Sequence, residues 1–569
     1  MINALSESAN HESLGDIIQQ KEKYMVRKAM LAVLALLLWI VPAQAQQAPA
    51  APELPPLPPL AAGELETAKR IYFDRCAGCH GVLRKGATGA NLLPAKTRAL
   101  TTPVLKAFIV NGTGGGMPDW GRQGTLSDAE SDLMARYIQH DPPVPPELGM
   151  AEMKKSWKLT VPVDQRPTKP EHNRDWKNFF AVTLRDAGQV AIIDGDTKEI
   201  VNIVKTGYAV HISRSSFSGR YMYTIGRDGR ATMIDLWMKV PDKIAEVKPC
   251  SDARSIDTSK YKGKLGDFTD KLAVIGCYWP PQIIVLDGQT LEPLKVVSSR
   301  SNTYDAQEYH PEPRVASIVA SHFKPEWVIN IKETGLVWLF DYSDLKNLKM
   351  TQIESEKFLH DGGWDSTKRY FMVAANMANK MVVIDVEKGK LEAIFETGIK
   401  PHPGRGANWI DPKFGPVNGT PHLGEGKVTV YGTDPAKHKE SAWKKVRELK
   451  TLGGGGLFIK THPKSKNVWV DHALNGDPAI QKQVCVFEKA NMDKDPKCWK
   501  VSDKGRAVHF EFNKAGDEVW ISVWGKKDGK SEIVVYNDKT LQEVARIDDP
   551  RIVTPTGKFN VYNTVHDIY

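Results

Sequence analysis

After about residue 175 one short pattern recurs eight times: two or three apolar residues, then usually an acidic residue, then a turn. It appears at Ile193-Asp194, Ile234-Asp235, Leu286-Asp287, Phe340-Asp341, Ile384-Asp385, Val430-Tyr431 (with Asp434), Phe487-Glu488 and Tyr536-Asn537. The intervals are roughly 40–55 residues, room for about four short strands each, which is the period of a β-propeller. Helical periodicity is missing from this stretch. Short β-branched and aromatic runs alternate with Gly, Asp, Asn and Lys turns instead. An irregular pair of β-sandwiches is the competing architecture; the steady repeat favours a ring of eight blades over 175–569. Propellers gather the loops of all blades on one axis, so binding chemistry is expected there.

The residues upstream read differently. Cys76-Ala77-Gly78-Cys79-His80 has the C-x-x-C-H spacing of covalent haem attachment. Two thiols on one helical turn can add to the two porphyrin vinyl groups, and the adjacent His then lies beneath the iron. A structural disulfide or a redox dithiol would leave His80 unexplained. Thr67 to Arg75 reads as an amphipathic helix leading into the motif. The Gly-rich loop Gly114-Gly115-Gly116-Met117-Pro118 supplies a Met able to approach the porphyrin, so His80 and Met117 are the expected axial ligands of haem c. From Ser127 to His140 a helical pattern opens with Ser127 as N-cap and Glu130 at the box position. The set describes a small all-α class I cytochrome c domain over 64–141. Pro142-Pro143-Val144-Pro145-Pro146 ends it and opens a Pro-rich linker over 142–174.

Composition narrows the remaining choices. With 569 residues, 41% hydrophobic and 25% charged, the chain is neither collagenous, coiled-coil nor wholly disordered. A net charge of +9, with Lys and Arg interspersed among Asp and Glu, points to solubility and not to nucleic acid. Met25-Val26-Arg27-Lys28, an apolar run from Ala29 to Val41 and Pro42-Ala43-Gln44-Ala45 together read as a secretory signal peptide. The apolar run falls short of the roughly 20 residues that span a bilayer, so no stable membrane anchor is expected. Residues 1–45 are set aside on that reading, with the initiator open between Met1 and Met25. Residues 46–63 are an Ala- and Pro-rich arm that can build no core. Export implies an oxidising compartment. Cys485 and Cys498 flank a polar hairpin turn and can pair there; Cys250 and Cys277 are expected as buried free thiols, with pairing as the alternative.

Within the repeat, three phrases do not look like blade scaffolding. Gly207-Tyr208-Ala209-Val210-His211-Ile212-Ser213-Arg214 puts a His in a strand-like run. Phe358-Leu359-His360-Asp361-Gly362-Gly363-Trp364 puts another at a strand boundary. Pro401-His402-Pro403-Gly404-Arg405-Gly406 sets a His and an Arg in a rigid loop. Arg185, Arg227, Arg230 and Arg254 add further cations. Any one such His is more often structural than functional. Together they describe an axial pocket with a His ligand, two further His and several Arg suited to carboxylates. A second, carboxylate-rich haem needs that set. With no second C-x-x-C-H, it would be held without covalent bonds.

Several long phrases in order now make the chain similar to the cytochrome cd1 nitrite reductases across residues 64–569. They are RCAGCHGVLRKGATG, GGGMPDWG, LRDAGQ, TGYAVHISR, IGRDGR, FLHDGGWD, KPHPGRGAN, GGGLFIKTHPKS and DPRIVTPTGKFNVYNT. The resemblance implies electron delivery through haem c to haem d1 in the propeller, where nitrite becomes nitric oxide and water. The resemblance also leaves room for a side activity that reduces oxygen to water. It implies Cys76 and Cys79 as haem c anchors, His211 as the haem d1 iron ligand, and His360 and His402 as distal proton donors. Arg185, Arg214, Arg227, Arg254 and Arg405 would serve the haem carboxylates or shape the pocket. Tyr278 and Phe458 would pack near the macrocycle, and Thr556, Gly557 and Phe559 would close over it. A periplasmic location, a small cytochrome c or cupredoxin donor and a homodimer are also implied. The sequence departs from the family in one respect: between Gln46 and Arg70 there is no Tyr or His, so no haem ligand is expected from the arm. The nearest rival is the haem d1 maturation dehydrogenase, which shares the architecture; a propeller that merely carries a tetrapyrrole is a third reading. The His360–His402 pair favours the reductase, because removing an oxygen from nitrite requires protons.

Overall fold

The computed structural model describes residues 57–113, 116–525 and 529–569. The signal peptide and most of the arm lie outside these residues. Three helices of ten residues each, α1 (Ala62–Ile71), α2 (Thr102–Asn111) and α3 (Asp128–Tyr137), form the all-α domain. Their apolar positions, among them Ala68, Ile71, Leu105, Ile109, Leu133 and Met134, meet in one core. The N-terminus of α3 is capped as the sequence indicates. Ser127 Oγ accepts from the Glu130 N–H at 3.2 Å, and Glu130 Oε2 accepts from the Ser127 N–H at 2.9 Å, a box worth about 1 kcal/mol. After α1 the chain widens into a π-helical turn, Tyr72–Cys76, and then the short helix Ala77–His80. Among the described residues no helix is long and apolar enough to cross a membrane.

The stretch read as a linker is partly built into the fold. It carries a short helix, Met150–Ser156, and the strand Lys158–Leu159, which pairs with Asp242–Val247. Met153 is fully buried against Tyr221, Tyr223 and Ala245.

Eight four-stranded antiparallel sheets follow, the second widened by Lys158–Leu159. Their innermost strands begin at Val210, Asp252, Val315, Leu359, Ala407, Ile459, Arg506 and Pro555. The last of these, Pro555–Asn560, pairs with Phe180–Leu184, so blade 1 is built from both ends of the repeat region. That pairing closes the ring and leaves only the short outer edge of each blade.

The structure explains the repeat. All eight occurrences fall at the end of the third strand of a blade. In seven, the polar residue ending the motif accepts backbone N–H groups of the next turn: Asp194 from Asp196, Asp235 from Trp237, Asp287 from Gln289, Asp341 from Ser343, Asp385 from Lys388, Asp434 from Ala436 and Asn537 from Lys539. A short acceptor folding the chain back is what these turns require. The preceding apolar residues fill the space between blades; Ile234, Ile284, Ile384 and Val535 are fully buried.

Cys485 and Cys498 face each other across adjacent strands and form a disulfide. Cys250 and Cys277 were expected as free thiols, and that expectation is corrected: they form a second disulfide. The register shift between Gly276 and Cys277 sets Cys277 opposite Ala253, at the start of the first strand of blade 3, within reach of Cys250 two residues before that strand. Cys76 and Cys79 remain unpaired.

Candidate functional site

The attachment turn is shaped for haem c. His80 Nδ1 lies 2.7 Å from the carbonyl of Ala90, which only accepts, so Nδ1 carries the proton and Nε2 is left for a metal. Gly89 packs flat on that ring; a Cβ there would meet His80 Cε1 at 2.7 Å. Met117 bridges back to Thr113, whose N–H donates to the Met117 carbonyl at 3.1 Å, and packs with Trp120 against the helical core. Two free thiols, a tautomer-fixed His and a facing Met fit haem c.

The second site is an axial cavity of about 370 Å³. It is built by one device used repeatedly. The innermost strands carry β-bulges at the cavity, and a bulge turns the extra side chain out of the normal alternation. Register breaks fall between Val210 and Ile212, at Arg254, between Val315 and Ser317, between Leu359 and Gly362, and between Val508 and Phe510. The residues so released are His211, Arg254, Ala316, His360 with Asp361, and His509, and all line the cavity. A further break in Pro555–Asn560 frees Thr556 and Gly557, which also line it.

The sequence-derived residues converge. Arg185, His211, Arg214, Arg254, Tyr278, His360, His402, Arg405, Phe458, Thr556, Gly557 and Phe559 all line the cavity. So do Gly78 and Cys79 of the attachment turn. Two cations do not reach it. Arg227 is held behind the wall by Asp252, with Nη2 to Oδ2 2.6 Å, and donates to the Asp74 carbonyl. Arg230 is turned outward toward Glu246. Among the lining residues that the sequence reading gave no role are Asp361, Lys460, His509, Trp524 and Tyr569. Asp361 sat inside a quoted phrase. His509 is released by a single bulge and carries no local motif.

The cavity carries more cations than anions: Arg185, Arg214, Arg254, Arg405 and Lys460 line it against Asp361, Glu511 and Asp567. Burial, then Arg405, pushes Arg214 down to about 10. Burial, then Arg227, does the same to Arg254. Arg254 Nε and Arg405 Nη1 are buried without a hydrogen-bond partner. Aromatic and aliphatic faces from Tyr278, Phe458, Phe559, Ile212 and Val508 complete the walls. Guanidinium groups with unused donors around flat apolar surfaces fit a planar macrocycle bearing carboxylates. His211 exposes its ring to this space. Burial, then Arg254, holds it well below the usual imidazole range, so it stays neutral, as a metal ligand must be.

Opposing imidazoles complete the site. The His360 and His402 rings are 4.9 Å apart. His360 Nδ1 is 2.8 Å from Asp361 Oδ1, and His402 Nδ1 is 3.0 Å from the Leu457 carbonyl. Both contacts fix Nδ1 as the protonated nitrogen and leave Nε2 free. Asp361 Oδ2 is buried without a hydrogen bond, 3.5 Å from His402 Nδ1. Burial, then Lys332, lowers His360 to about 4. Both imidazoles draw Asp361 below the usual carboxylate range against its own burial.

Comparison with known proteins agrees with these two sites. Residues 174–564 match the model of the cytochrome D1 heme domain. Residues 63–138 match that of cytochrome C oxidase, cbb3-type, subunit III. The chain is 54% identical over 537 residues to a nitrite reductase of Stutzerimonas stutzeri, covering 90% of this chain and 95% of that one. It is 26% identical to a dihydro-heme d1 dehydrogenase of Pseudomonas aeruginosa, covering 89% and 95%. A solved dihydro-heme d1 dehydrogenase in complex with DHE superposes with a TM-score of 0.66 at 26% identity, covering 88% of this chain and 99% of that one. An eight-bladed haem d1 propeller behind a cytochrome c-type domain, 54% identical to a nitrite reductase along nearly its whole length, places this chain in the cytochrome cd1 nitrite reductase family.

Proposed function

We propose that His360 and His402 are the proton donors of a dissimilatory nitrite reductase. Nitrite accepts one electron and two protons, one N–O bond breaks, and nitric oxide and water leave. Haem d1, when bound, supplies the iron that holds nitrite and passes it the electron. His211 would ligate that iron from its bulge. Arg185, Arg214, Arg254 and Arg405 would pair with the macrocycle carboxylates, while Asp252, gripped by Arg227, lies beside Arg254 from behind. Tyr278, Phe458 and Phe559 would cover its faces, with Thr556 and Gly557 at its edge. Cys76 and Cys79 would bond haem c, with His80 and Met117 on its iron.

The observation that carries this reading is the anchored imidazole pair, with both Nε2 atoms free. Nδ1 of each ring is committed to an acceptor, so proton traffic runs through Nε2. His360 is neutral at pH 7 while the cavity holds no anion. A negative charge beside it favours the imidazolium, so arrival of nitrite and protonation of His360 support each other. Asp361, ionised between the rings, orients His360 and stabilises either imidazolium. The surrounding Arg groups attract the anionic substrate.

Two disulfides fit an oxidising compartment, and with the signal-like N-terminus they support export to the periplasm. A small cytochrome c or cupredoxin is the fitting electron donor, through a small and transient contact. The homodimer rests on the family alone.

Anaerobic nitrite turnover by the two-haem protein, with the reduced visible spectrum taken on the same sample, tests the reading. A d1 band with catalytic nitric oxide release, abolished in His360→Ala and His402→Ala, is the expected result. A tetrapyrrole that converts once on oxidation, without nitrite turnover, would reassign the chain to d1 maturation.

A further inference from the structure

Between the two haem sites lies a buried group of charges that the mechanism above does not use. It begins with His310-Pro311-Glu312-Pro313-Arg314, the segment leading into the innermost strand of blade 4. The two prolines hold this stretch extended, and residues two apart in an extended chain project to the same side. Glu312 and Arg314 thus point together at the haem c attachment turn. Both are almost completely buried, at 2% and 1% exposure.

Their contacts grip that turn at both ends. Glu312 Oε1 accepts from the Val82 N–H at 2.6 Å and Oε2 from the Leu83 N–H at 2.8 Å. Arg314 Nη1 donates to the carbonyls of Ala77 at 2.9 Å and Gly78 at 3.2 Å. The anion thus meets backbone donors past the helix end, and the cation meets carbonyls of the helix itself, where a positive charge is favoured. Gly81 makes the approach possible: its φ is +83°, and a Cβ there would sit 3.1 Å from Glu312 Oε2. Glu333, from the turn after the second strand of blade 4, fixes the guanidinium. Its Oε1 accepts from Arg314 Nε at 2.7 Å and its Oε2 from the Arg314 backbone N–H at 2.6 Å. Arg314 also lies over the Tyr278 ring, 4.8 Å from its centre, and Arg254 lies over the same ring at 4.9 Å. Tyr278 and Arg254 line the axial cavity. One continuous set of contacts therefore runs from the C-x-x-C-H turn to the haem d1 wall.

We propose that Glu312 and Arg314, oriented by Glu333, are positioning residues for electron transfer from haem c to haem d1, holding the attachment turn as part of the cavity wall. The inference rests on the two-haem reading. One electron leaves ferrous haem c and reduces ferric haem d1; the clamp itself gains and loses nothing. A charge-bearing clamp suits this task because breaking it would leave buried charges unpaired, so small displacements of the turn are resisted.

The test uses the protein carrying both haems. In Glu312→Ala the amides of Val82 and Leu83 lose their acceptor, and hydrogen exchange across residues 76–89 should accelerate. After rapid reduction of haem c, electron arrival at haem d1 should slow severalfold, because electronic coupling falls steeply with distance. Haem c potential, haem d1 content and the rate of haem c reduction by an external donor should stay at wild-type values. Glu312→Gln keeps a carbonyl acceptor in place and should recover most of the rate. Because Arg314→Gln alone leaves Glu333 buried and unpaired, the paired variant Arg314→Gln/Glu333→Gln is the companion; it should show the same slow transfer. Wild-type exchange in Glu312→Ala, or slow transfer that tracks a shifted haem c potential or lost haem d1, would overturn the proposal. The exchange measurement reads the clamp without any haem chemistry, so its failure is separable from failure of the two-haem reading.

Discussion

Gly78 of the haem c attachment turn packs directly on the guanidinium of Arg254, which lines the axial cavity; a Cβ at position 78 would collide with Arg254 Nη2. The turn is held covalently and by backbone hydrogen bonds, whereas the end of an Arg side chain can swing. Gly78→Ala should therefore displace Arg254 and leave haem c in place. Losing one charge-assisted hydrogen bond to a haem d1 carboxylate costs about 1.5–3 kcal/mol, roughly 10- to 100-fold in affinity. Titration of the d1-free variant with haem d1 reads this, with the haem c spectrum as the control. Unchanged d1 affinity would mean that Arg254 does not hold the cofactor.

His360 and His402 share Asp361, and on the proposed reading they serve one substrate oxygen, so their removal should not be additive. Either alanine variant should lose roughly 10²–10⁴-fold in nitrite turnover, the usual worth of a general acid. The double variant should fall little further, because one remaining imidazole without its partner already delivers protons poorly. Steady-state rates of all three at one pH decide the matter. Two losses that multiply would show that the rings work independently.

The acid side of the stability profile carries the mark of the cavity. His360 is held at about 4, and His211 and His509 are held well below the usual value of 6.5, all three chiefly by burial. A group whose folded pKa is depressed binds more protons in the unfolded chain, so stability rises with pH across this window. It is intact above about 6.5 and declines toward pH 4, by up to about 1.4 kcal/mol per pH unit for each of His360 and His509, and by less for His211, whose ring is open to the cavity. Denaturant unfolding of the d1-free protein at pH 7 and pH 5 should show the lower midpoint at pH 5. His360→Gln should flatten the slope. Equal midpoints at the two pH values would show that these histidines are not kept neutral by the fold.

The two disulfides close loops of 27 and 13 residues. Loop-closure entropy gives each roughly 3–4 kcal/mol. Cys250→Ser/Cys277→Ser should lower the unfolding midpoint accordingly. It should also loosen haem d1, because this bridge ties together the strands that carry Arg254 and Tyr278. Cys485→Ser/Cys498→Ser should lower stability without touching haem d1 affinity, since neither cysteine lines the cavity. The contrast between the two variants in d1 titration is the measurement.

What could be read in the sequence follows from where information is local. The eight blades were visible because, in seven of them, the polar residue at the end of the third strand has a local duty, accepting the N–H groups of its own turn. His211, His360 and His402 stood out because Gly- and Pro-rich phrases mark places where the backbone leaves regular strand. The pairing of Cys250 with Cys277 was not legible: it depends on a register shift in blade 3 that no spacing reveals. Nor was the retreat of Arg227 behind the wall, which is set by Asp252 on a neighbouring blade. The β-bulges were hidden as well, since strict alternation would have pointed these side chains elsewhere.

His509 is the residue that this device adds to the site. It occupies the bulge in the innermost strand of blade 8 at a φ of 56°, a backbone region that non-glycine residues rarely adopt. Its N–H is held by Asp471 Oδ2 at 3.1 Å, and its ring stands edge-on to Phe458 and Phe559, with centres 4.6 and 5.5 Å away. The Lys558 backbone N–H lies 3.4 Å from His509 Nδ1, which therefore accepts, so the neutral ring carries its proton on Nε2. His360 and His402 have the opposite tautomer. A neutral ring fixed this way can donate a hydrogen bond to the edge of a macrocycle but is not poised to deliver protons. His509→Leu should therefore weaken haem d1 binding by roughly 3- to 10-fold, the worth of one neutral hydrogen bond, and shift the d1 absorption band. His509→Gln restores an N–H donor and should recover most of the affinity. With haem d1 saturating, nitrite turnover of His509→Leu should stay far above that of His360→Ala. A loss of turnover as deep as in His360→Ala, with the d1 band unmoved, would instead place His509 on the proton path.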